Sequence, residues 1–554
     1  MLTRDKIVAM VLITAVLTAC IFFAIAKRFN YYKFPSEGVI IPLSFHPSGK
    51  LHIGNETNGE NPQFFYDENG KLVTLRMLQS GHRGIGWYTE TLTTGDFAGD
   101  TWANATIKFA KDAEFNCFSI HVFWGNKYNP LSEWLYPSRR TVNKTVMNYF
   151  TDHLKVLAGN DIYFMLDGYD DNHNTNWWLA DECENSTGGL LWNTTVRDDF
   201  VWLWNITLTE IKAKGENVWN HLVLIDPWRE TLTDFNSPSS LRSMWRDPYR
   251  YNQSQWEDKG HGNASLVSWQ NWLKSKYNND ITTLKNLWDN GYQPKEAWNA
   301  SGTETDDWKS LLMAVKSYHG GDSYNRAYDF GCWYAECIEN FTRDCSNDWK
   351  ENFTDLYVAW GGWKPYVSWG TSVIPSDIDV RTASCFKYSD VLYGDLFASL
   401  SSGEGYCYGD NMITEDEVAM VARALKKPYF IGEFGATVSS GPGYNSEYDA
   451  DIIGYWNVTL SKCLRQSYAG WLPYWISYWH SYETTILNRV TRCDVRRPYM
   501  RQLNLLYKAA ENWLDKIEYD PICISMSVGR HYLGEDPLGL LLFAEAGYNI
   551  KYAR

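Results

Sequence analysis

The residues best placed to do chemistry are carboxylates at the ends of short apolar runs. Glu433 stands in Lys426-Lys427-Pro428-Tyr429-Phe430-Ile431-Gly432-Glu433-Phe434-Gly435-Ala436. The run 429–431 is too short for a helix and is bounded by glycine, so it reads as a buried strand of a parallel sheet with Glu433 at its end. Asp226 and Glu230 follow a second apolar run in Leu224-Ile225-Asp226-Pro227-Trp228-Arg229-Glu230-Thr231, and Asp167 ends a third, with Asp170 and Asp171 close behind. α/β folds gather their chemistry at the carboxyl ends of parallel strands. Acids held there can move protons or attack an electrophilic carbon. The plain alternatives are a solvated glutamate in a strand-to-helix loop for Glu433 and an exposed Arg229–Glu230 ion pair.

To position these groups the chain must alternate helices with strands. Before the run 429–431, Thr414 and Glu417 stand in a capping-box relation, Val418, Val421, Ala422 and Leu425 recur at helical spacing, and Pro428 stops the helix. Residues 72–77 alternate and read as a first strand entering the loop Gln79-Ser80-Gly81-His82-Arg83-Gly84. Residues 102–114 have helical spacing, and 117–124 are strand-like, with His121 and Trp124 toward the end. Val146, Tyr149, Phe150, Leu154 and Leu157 share one face of a helix over 143–158, ended by Gly159, and 194–214 is a longer helix. Residues 366–369 read as strand five, 390–397 as strand six with Tyr393 and Asp395 near its end, and 469–479 as an aromatic eighth strand containing Trp475 and Trp479. Residues 448–466 and 498–514 are the last helices, and 332–355 is a helix carrying three cysteines. Units alternating on this scale predict a parallel sheet, and eight of them predict an α/β fold of the (β/α)8 TIM barrel class. The 554 residues exceed the roughly 250 of a minimal barrel, so long loop insertions are expected, chiefly over 232–324.

The string from Lys426 to Ala436 closely resembles the seventh strand of the clan A glycoside hydrolases, the (β/α)8 retaining enzymes that include family 5 cellulases and mannanases. That resemblance implies that Glu433 is the catalytic nucleophile. The first strand is similar to the family's opening strand as well. The fourth strand of the family ends in an Asn-Glu pair whose glutamate is the acid/base. On that pattern Asp226, Trp228 and Glu230 match in character, which implies Glu230 as acid/base with Asp226 as the fallback. Arg229 replaces the asparagine that binds the sugar 2-hydroxyl, and an arginine lowers the pKa of a neighbouring carboxyl where a general acid needs it raised. Tyr393 matches the tyrosine of a His-x-Tyr on strand six, without the histidine. Trp475, with Trp479 next, resembles the tryptophan that floors the scissile subsite. Residues 266–288, with Trp-Leu-Lys-Ser-Lys-Tyr and Leu-Lys-Asn-Leu-Trp, resemble the insert of family 42 β-galactosidase-like members. The resemblance implies a β-linked oligo- or polysaccharide bound by Trp475, Trp479, Tyr393, Arg229, Asp226, Asp167, His82, His121 and Trp124, with neither metal nor cofactor.

Composition narrows the setting. Formal net charge is -15 and no basic block occurs, which excludes nucleic acid as a partner. Aromatics make up 16%, with 28 Trp and 37 Tyr, an excess that core packing and sugar stacking would both use. Residues 7–26 form an uncharged apolar run long enough to cross a bilayer. It exceeds a usual signal h-region, so an uncleaved anchor is expected, or a secreted protein if it is cleaved. Asn-x-Ser/Thr occurs twelve times, against about five by chance, as on an exported surface. Cys20 lies within the apolar run and leaves an even ten cysteines beyond it, which suits disulfides in an oxidising compartment. The expected organisation is an anchor at 1–26, a stalk at 27–62, a hydrolase barrel at 63–515 and a short α/β extension at 516–554. Alternatives to a cellulase-like endo-hydrolase are a β-galactosidase-like exoglycosidase and a non-catalytic cell-surface glycan-binding protein.

Overall fold

The computed structural model describes residues 47–80, 86–92, 97–122, 131–168, 178–179, 192–227, 262–288, 324–360, 387–401, 404–407, 419, 422–438, 449–473 and 493–517. Three two-residue strands, β1 (His52–Ile53), β2 (Phe65–Tyr66) and β3 (Leu72–Val73), pair antiparallel in a small sheet. It is fastened to the amino-terminal end of the larger sheet. The Ile53 N–H donates to the Tyr357 hydroxyl at 3.1 Å, the Tyr163 hydroxyl donates to the Gly49 carbonyl at 2.7 Å, and Lys50 pairs with Asp355.

The larger sheet is a ring. Strands β4 (Leu75–Ser80), β5 (Cys117–Val122), β6 (Tyr163–Gly168) and β7 (Leu222–Asp226) pair parallel in chain order. Strand β8 (Leu392–Ser401) turns back into β9 (Glu404–Cys407), antiparallel to it, and pairs parallel with β10 (Tyr429–Val438). Strand β10 pairs with β11 (Gly470–Pro473), and β11 pairs with β4. Residues 357–360 bridge the remaining gap between β7 and β8. Parallel bridges join Ile225 to Val358 and Ala359 to Val391. The Ile225 N–H donates to the Tyr357 carbonyl at 3.0 Å, Ala359 N–H to the Ile225 carbonyl at 2.8 Å, and Asp390 N–H to the Val358 carbonyl at 2.8 Å. Eight parallel segments thus close a barrel.

Strand five of the ring is therefore formed by 357–360; residues 366–369, where the sequence led it to be expected, fall outside the described residues. Residues 358–360 are buried, and only the neighbouring strands identify so short a segment as part of a sheet. Strand one extends through Ser80, so Gln79 is a buried strand residue and not the start of a loop. Strand β10 runs five residues past Glu433, because β8 continues beside it as far as Leu400. Glu433 therefore lies mid-strand, where the sequence reading ended the strand.

The helices form the outer layer. They are α1 (Trp102–Asp112), α2 (Lys144–Ala158), α3 (Thr194–Ala213), α4 (Gly262–Lys276), α5 (Ile281–Trp288), α6 (Tyr324–Asn352), α7 (Asp449–Arg465) and α8 (Cys493–Ala510). The caps follow the sequence: the side chains of Thr101, Asn143 and Asn193 accept backbone N–H bonds at the starts of α1, α2 and α3. Helix α6 starts eight residues before the predicted 332, and α8 starts five before Pro498, which lies inside it. Before β10 the chain leaves its helical turn with Lys426 at φ 54, and the Lys427 N–H closes on the Ala422 carbonyl at 2.9 Å, so the turn ends before Pro428.

Much of the aromatic excess is packing. Trp204, Trp269, Trp288, Trp333, Trp349, Trp456 and Trp471 are fully buried. Three of them seat the inserted helices: Trp269 of α4 lies against Trp288 of α5 and Trp333 of α6. The buried Asp329 beneath them accepts from Trp288 Nε1 at 2.9 Å, Lys276 Nζ at 2.6 Å and the Tyr277 hydroxyl at 2.5 Å. The burial of its charge is offset by three donors. On the opposite side of the ring, Arg76 of β4 is buried and paired with Glu511 at 2.7 Å, which ties strand one to the chain just past α8.

The expected disulfide set does not form in full. Cys117, Cys337 and Cys345 carry free thiols, so ten cysteines do not resolve into five bridges. Burial pushes the Cys337 thiol up to about 12 and raises those of Cys117 and Cys345 as well, so all three stay protonated at neutral pH. The apolar run 7–26 and the extension past 517 fall outside the described residues. Among the described residues, no helix is long and apolar enough to cross a membrane.

Candidate active site

A polar rung lies across the barrel near the carboxyl ends of its strands. His121, Asp167 and Asp226 are in register on β5, β6 and β7. The rung below combines Gln79 and Ser119 with Met165 and Leu224, likewise in register. Side chains two residues apart on a strand share a face, so the interior changes from apolar to polar on moving up each strand. Leu75, Met77, Met165 and Leu224 make a dry floor with no exposed surface.

The carboxyl groups of the rung are buried and hydrogen-bonded. Asp167 accepts from the Ser119 hydroxyl at 2.5 Å. Asp226, the last residue of β7, accepts from the Tyr393 hydroxyl, which reaches across residues 357–360 from β8. Both partners of this second bond are 0% exposed. Just beyond Asp226, the indole N–H of Trp204 on α3 donates to the Pro227 carbonyl at 3.2 Å. Desolvating a carboxylate is costly unless donors replace the lost water, and these contacts supply donors.

Glu433 stands on the neighbouring arc. A bulge between Ile431 and Glu433 adds one residue to β10 relative to β8 and puts Glu433 in register with Asp395, two residues beyond Tyr393. Its neighbour Phe434 stacks on Trp471, with ring centroids 5.1 Å apart, and Trp471 donates to Asn504 of α8 at 3.0 Å. Phe434 thus packs on the helix side of the barrel. Three residues before Glu433, Phe430 stacks on Tyr393, with centroids 5.2 Å apart and planes within 11°.

The structure brings together three of the residues expected from sequence: Asp167, Asp226 and Tyr393. Tyr393 bonds to the end of strand four, one rung below Glu433. His121 joins them by backbone register, and Glu433 by its place on β10. Glu230, Arg229, His82, Trp124, Trp475 and Trp479 lie outside the described residues. Ser119 and Trp204 were missed by sequence reasoning. Ser119 lies two residues before His121 and so on the same strand face, which was a usable signal; nothing local to Trp204 marks its indole as the partner of Pro227. Among the described residues, no three His, Cys, Asp or Glu side chains gather as a metal ion would require.

No protein-family model matches the sequence, and no curated protein matches it. Solved structures do resemble the fold. A cold-adapted β-galactosidase from Rahnella sp. R3 superposes with a TM-score of 0.54 at 13% identity, over 82% of this chain and 62% of that one. The β-galactosidase of the psychrophilic Marinomonas ef1 gives 0.54 at 9% identity over 86% and 70%. An exo-β-1,4-mannosidase from Opitutaceae bacterium strain TAV5 gives 0.51 at 12% identity over 89% and 71%. The chain thus spans less than two thirds of the Rahnella enzyme. At these identities the likeness bears on architecture, and with the closed ring of parallel strands it establishes a (β/α) barrel.

Proposed function

We propose that the protein is a β-glycoside hydrolase that retains anomeric configuration, with Glu433 as nucleophile and Glu230 as acid/base. The observation that carries this is the location of Glu433: on the barrel strand that follows β8, one bulge past the Tyr393–Phe430 stack, at the level where the interior turns polar. Solved barrels of similar fold that are themselves β-galactosidases and a β-mannosidase support the substrate class.

The reaction is a double displacement. The Glu433 carboxylate attacks the anomeric carbon while the bond to the leaving oxygen breaks, and that oxygen takes the proton of Glu230. Glu230 then removes a proton from water, the hydroxide attacks the glycosyl ester, and Glu433 is released. The two carboxyl groups would stand about 5–5.5 Å apart. The proposed substrate is a β-linked glucan or mannan, with a β-galactoside taken from the chain end as the alternative. Trp475 and Trp479 would floor the scissile subsite, with Arg229, His82, His121 and Trp124 around it. The apolar run 7–26 would anchor the protein, with the barrel outside the cell.

The test is hydrolysis of aryl β-glycosides by the ectodomain. Turnover that disappears in Glu433→Gln supports the reading, and wild-type protein without turnover on any of them refutes it. Arg229, standing where the related enzymes carry asparagine, favours a second reading: a surface protein that binds β-glycans without cleaving them. Saturable oligosaccharide binding with no release of even a 2,4-dinitrophenyl group would select it.

A further inference from the structure

We propose that Asn55, Asn104 and Asn457 carry N-linked glycans, and that the last two, on α1 and α7, shade the apolar residues exposed on and beside α8 between them. This rests on the reading of the barrel as exported and is independent of the hydrolase assignment. The chain holds twelve Asn-x-Ser/Thr motifs, none of which the proposed reaction uses. Eight of these asparagines have a described burial: Asn55, Asn104, Asn352 and Asn457 are exposed, and Asn143, Asn193, Asn205 and Asn340 are half-buried. Hydrogen bonds sort them further. Asn143 uses both ends of its amide, with Nδ2 donating to the Ser132 carbonyl at 2.8 Å and Oδ1 accepting from the Val146 N–H at 3.3 Å. The Nδ2 of Asn352 donates to the Asp348 carbonyl one turn earlier at 3.0 Å, and the Asn340 Oδ1 accepts from Arg343 at 2.7 Å. Asn193 caps α3, and the Asn205 Oδ1 is enclosed by protein. Asn55 engages its oxygen alone, which accepts from the Thr57 N–H at 3.0 Å and the Thr57 hydroxyl at 2.8 Å. Among the described residues, no hydrogen bond holds the side chain of Asn104 or Asn457.

The modification joins Nδ2 to the anomeric carbon of an oligosaccharide carried on a polyprenyl pyrophosphate. The C–N bond forms, the C–O bond to the pyrophosphate breaks, the lipid pyrophosphate leaves with the electron pair, and the nitrogen gives up one proton. The attached glycan is bulky, so the folded chain accommodates it best where Nδ2 meets solvent. The motif hydroxyls that follow Asn104 and Asn457 belong to Thr106 and Thr459, which are 0% and 1% exposed, and Thr106 donates to the Trp102 carbonyl at 2.8 Å. An enzyme that reads these hydroxyls must therefore act before α1 and α7 have packed. Asn55 opens the turn after β1, at the end of the barrel opposite the polar rung. Strand β11 lies between β10 and β4, so α8, which follows β11, has α7 on one side and α1 on the other. This arc exposes Val458 on α7, Leu506 on α8 and Trp513 just past it. Apolar residues exposed together on one face favour association, and glycans at 104 and 457 stand on both flanks of that face.

The experiment expresses the full chain in eukaryotic secretory cells, releases N-glycans enzymatically in heavy-oxygen water, and maps the aspartates so marked by peptide mass spectrometry. Asn55, Asn104 and Asn457 are expected to be marked in most molecules, and Asn143 and Asn205 in few. Asn104→Gln combined with Asn457→Gln should remove two glycans and raise the oligomer fraction in sedimentation by about twofold or more. Asn55→Gln should remove one glycan and leave that fraction unchanged; since it also disturbs the turn at Thr57, Thr57→Val, which abolishes the motif and keeps the asparagine, should do the same. Marking of Asn143 and Asn205 as often as of the three would overturn the assignment, as would glycans on other motifs with none on these. An unchanged oligomer fraction in the double variant would overturn the shading role. A chain with no glycan on any of its twelve motifs would remove this inference together with the export reading, while turnover of aryl β-glycosides would still decide the hydrolase reading separately.

Discussion

His153 should make the fold acid-sensitive in a window set by its burial. It lies on α2 with 7% of its surface exposed, against the ring of Tyr88 at 5.5 Å between centroids, and its Nε2 has no hydrogen-bond partner. Burial pushes its pKa from 6.5 down to about 4, since a charged imidazole there would lack both water and an acceptor. At pH 7 the ring is neutral in folded and unfolded chains alike and contributes nothing. Below pH 6.5 the unfolded chain takes up a proton that the folded one refuses, so stability falls until the folded ring also titrates near pH 4. The gap is about 2.5 pH units at about 1.4 kcal/mol each, which makes the full loss about 3.5 kcal/mol, of which about 2.5 kcal/mol is reached at pH 4.5. The assay is urea unfolding of wild type and His153→Leu at pH 7 and pH 4.5. The variant has its own packing cost at both pH values, so only the difference of differences matters. Wild type should lose about 2.5 kcal/mol more than the variant between the two conditions. Equal losses, within about 0.5 kcal/mol, would show that the ring is hydrated or finds an acceptor in the folded state, and the argument from burial would fail.

Other predictions concern the ring itself. Glu511→Gln leaves the buried Arg76 without its counter-charge and should cost about 3–5 kcal/mol in urea unfolding. A cost below about 1 kcal/mol would mean that the pair is effectively solvated. Gly470→Ala places a Cβ 2.6 Å from the Leu75 carbonyl oxygen and 2.7 Å from its Cβ, so β11 and β4 must separate, at a cost of about 1–3 kcal/mol or more. Asp329→Ala removes the common acceptor of Lys276, Tyr277 and Trp288; it should destabilise the α4–α5 insert by about 3 kcal/mol and raise the fluorescence of the tryptophans packed there.

The barrel was legible from sequence because helical spacing and short apolar runs alternate in it, and the helices read over 102–114, 143–158 and 194–214 are α1, α2 and α3. Strand five was not. Residues 357–360 are as apolar as a strand but too short to show a period, and they follow α6 so closely that its helical pattern obscures them. The length of β10 was hidden for a related reason. Gly432 and Gly435 look like strand terminators, whereas here Gly432 lies at the bulge and the strand continues because β8 offers it a partner. Of the site, the strand-end acids Asp167 and Asp226 could be found because their position on a strand follows from local pattern. The pairings could not: Tyr393, itself marked by the resemblance, lies 167 residues from Asp226, and Ser119 lies 48 from Asp167. Such contacts depend on closure of the ring, which no local window contains.

The hydrogen bonds of the polar rung also explain how a barrel of this size can hold acids in its interior without losing the fold. Each buried acid is held by a hydroxyl from another segment, Asp167 by strand two and Asp226 by strand six. The bonds that satisfy the acids therefore also lock strands together. Beneath them Leu75, Met77, Met165 and Leu224 exclude water from the floor, so the polar rung adds ties between strands to a core that is already closed. Among the described residues β10 pairs with β11 as far as Phe434, and β8, β9 and β10 continue as a three-stranded ribbon past the level of Glu433. The proposed nucleophile is therefore held by backbone pairing with β8 both before and after its own position, so the strand that carries it is fixed independently of the loops around it.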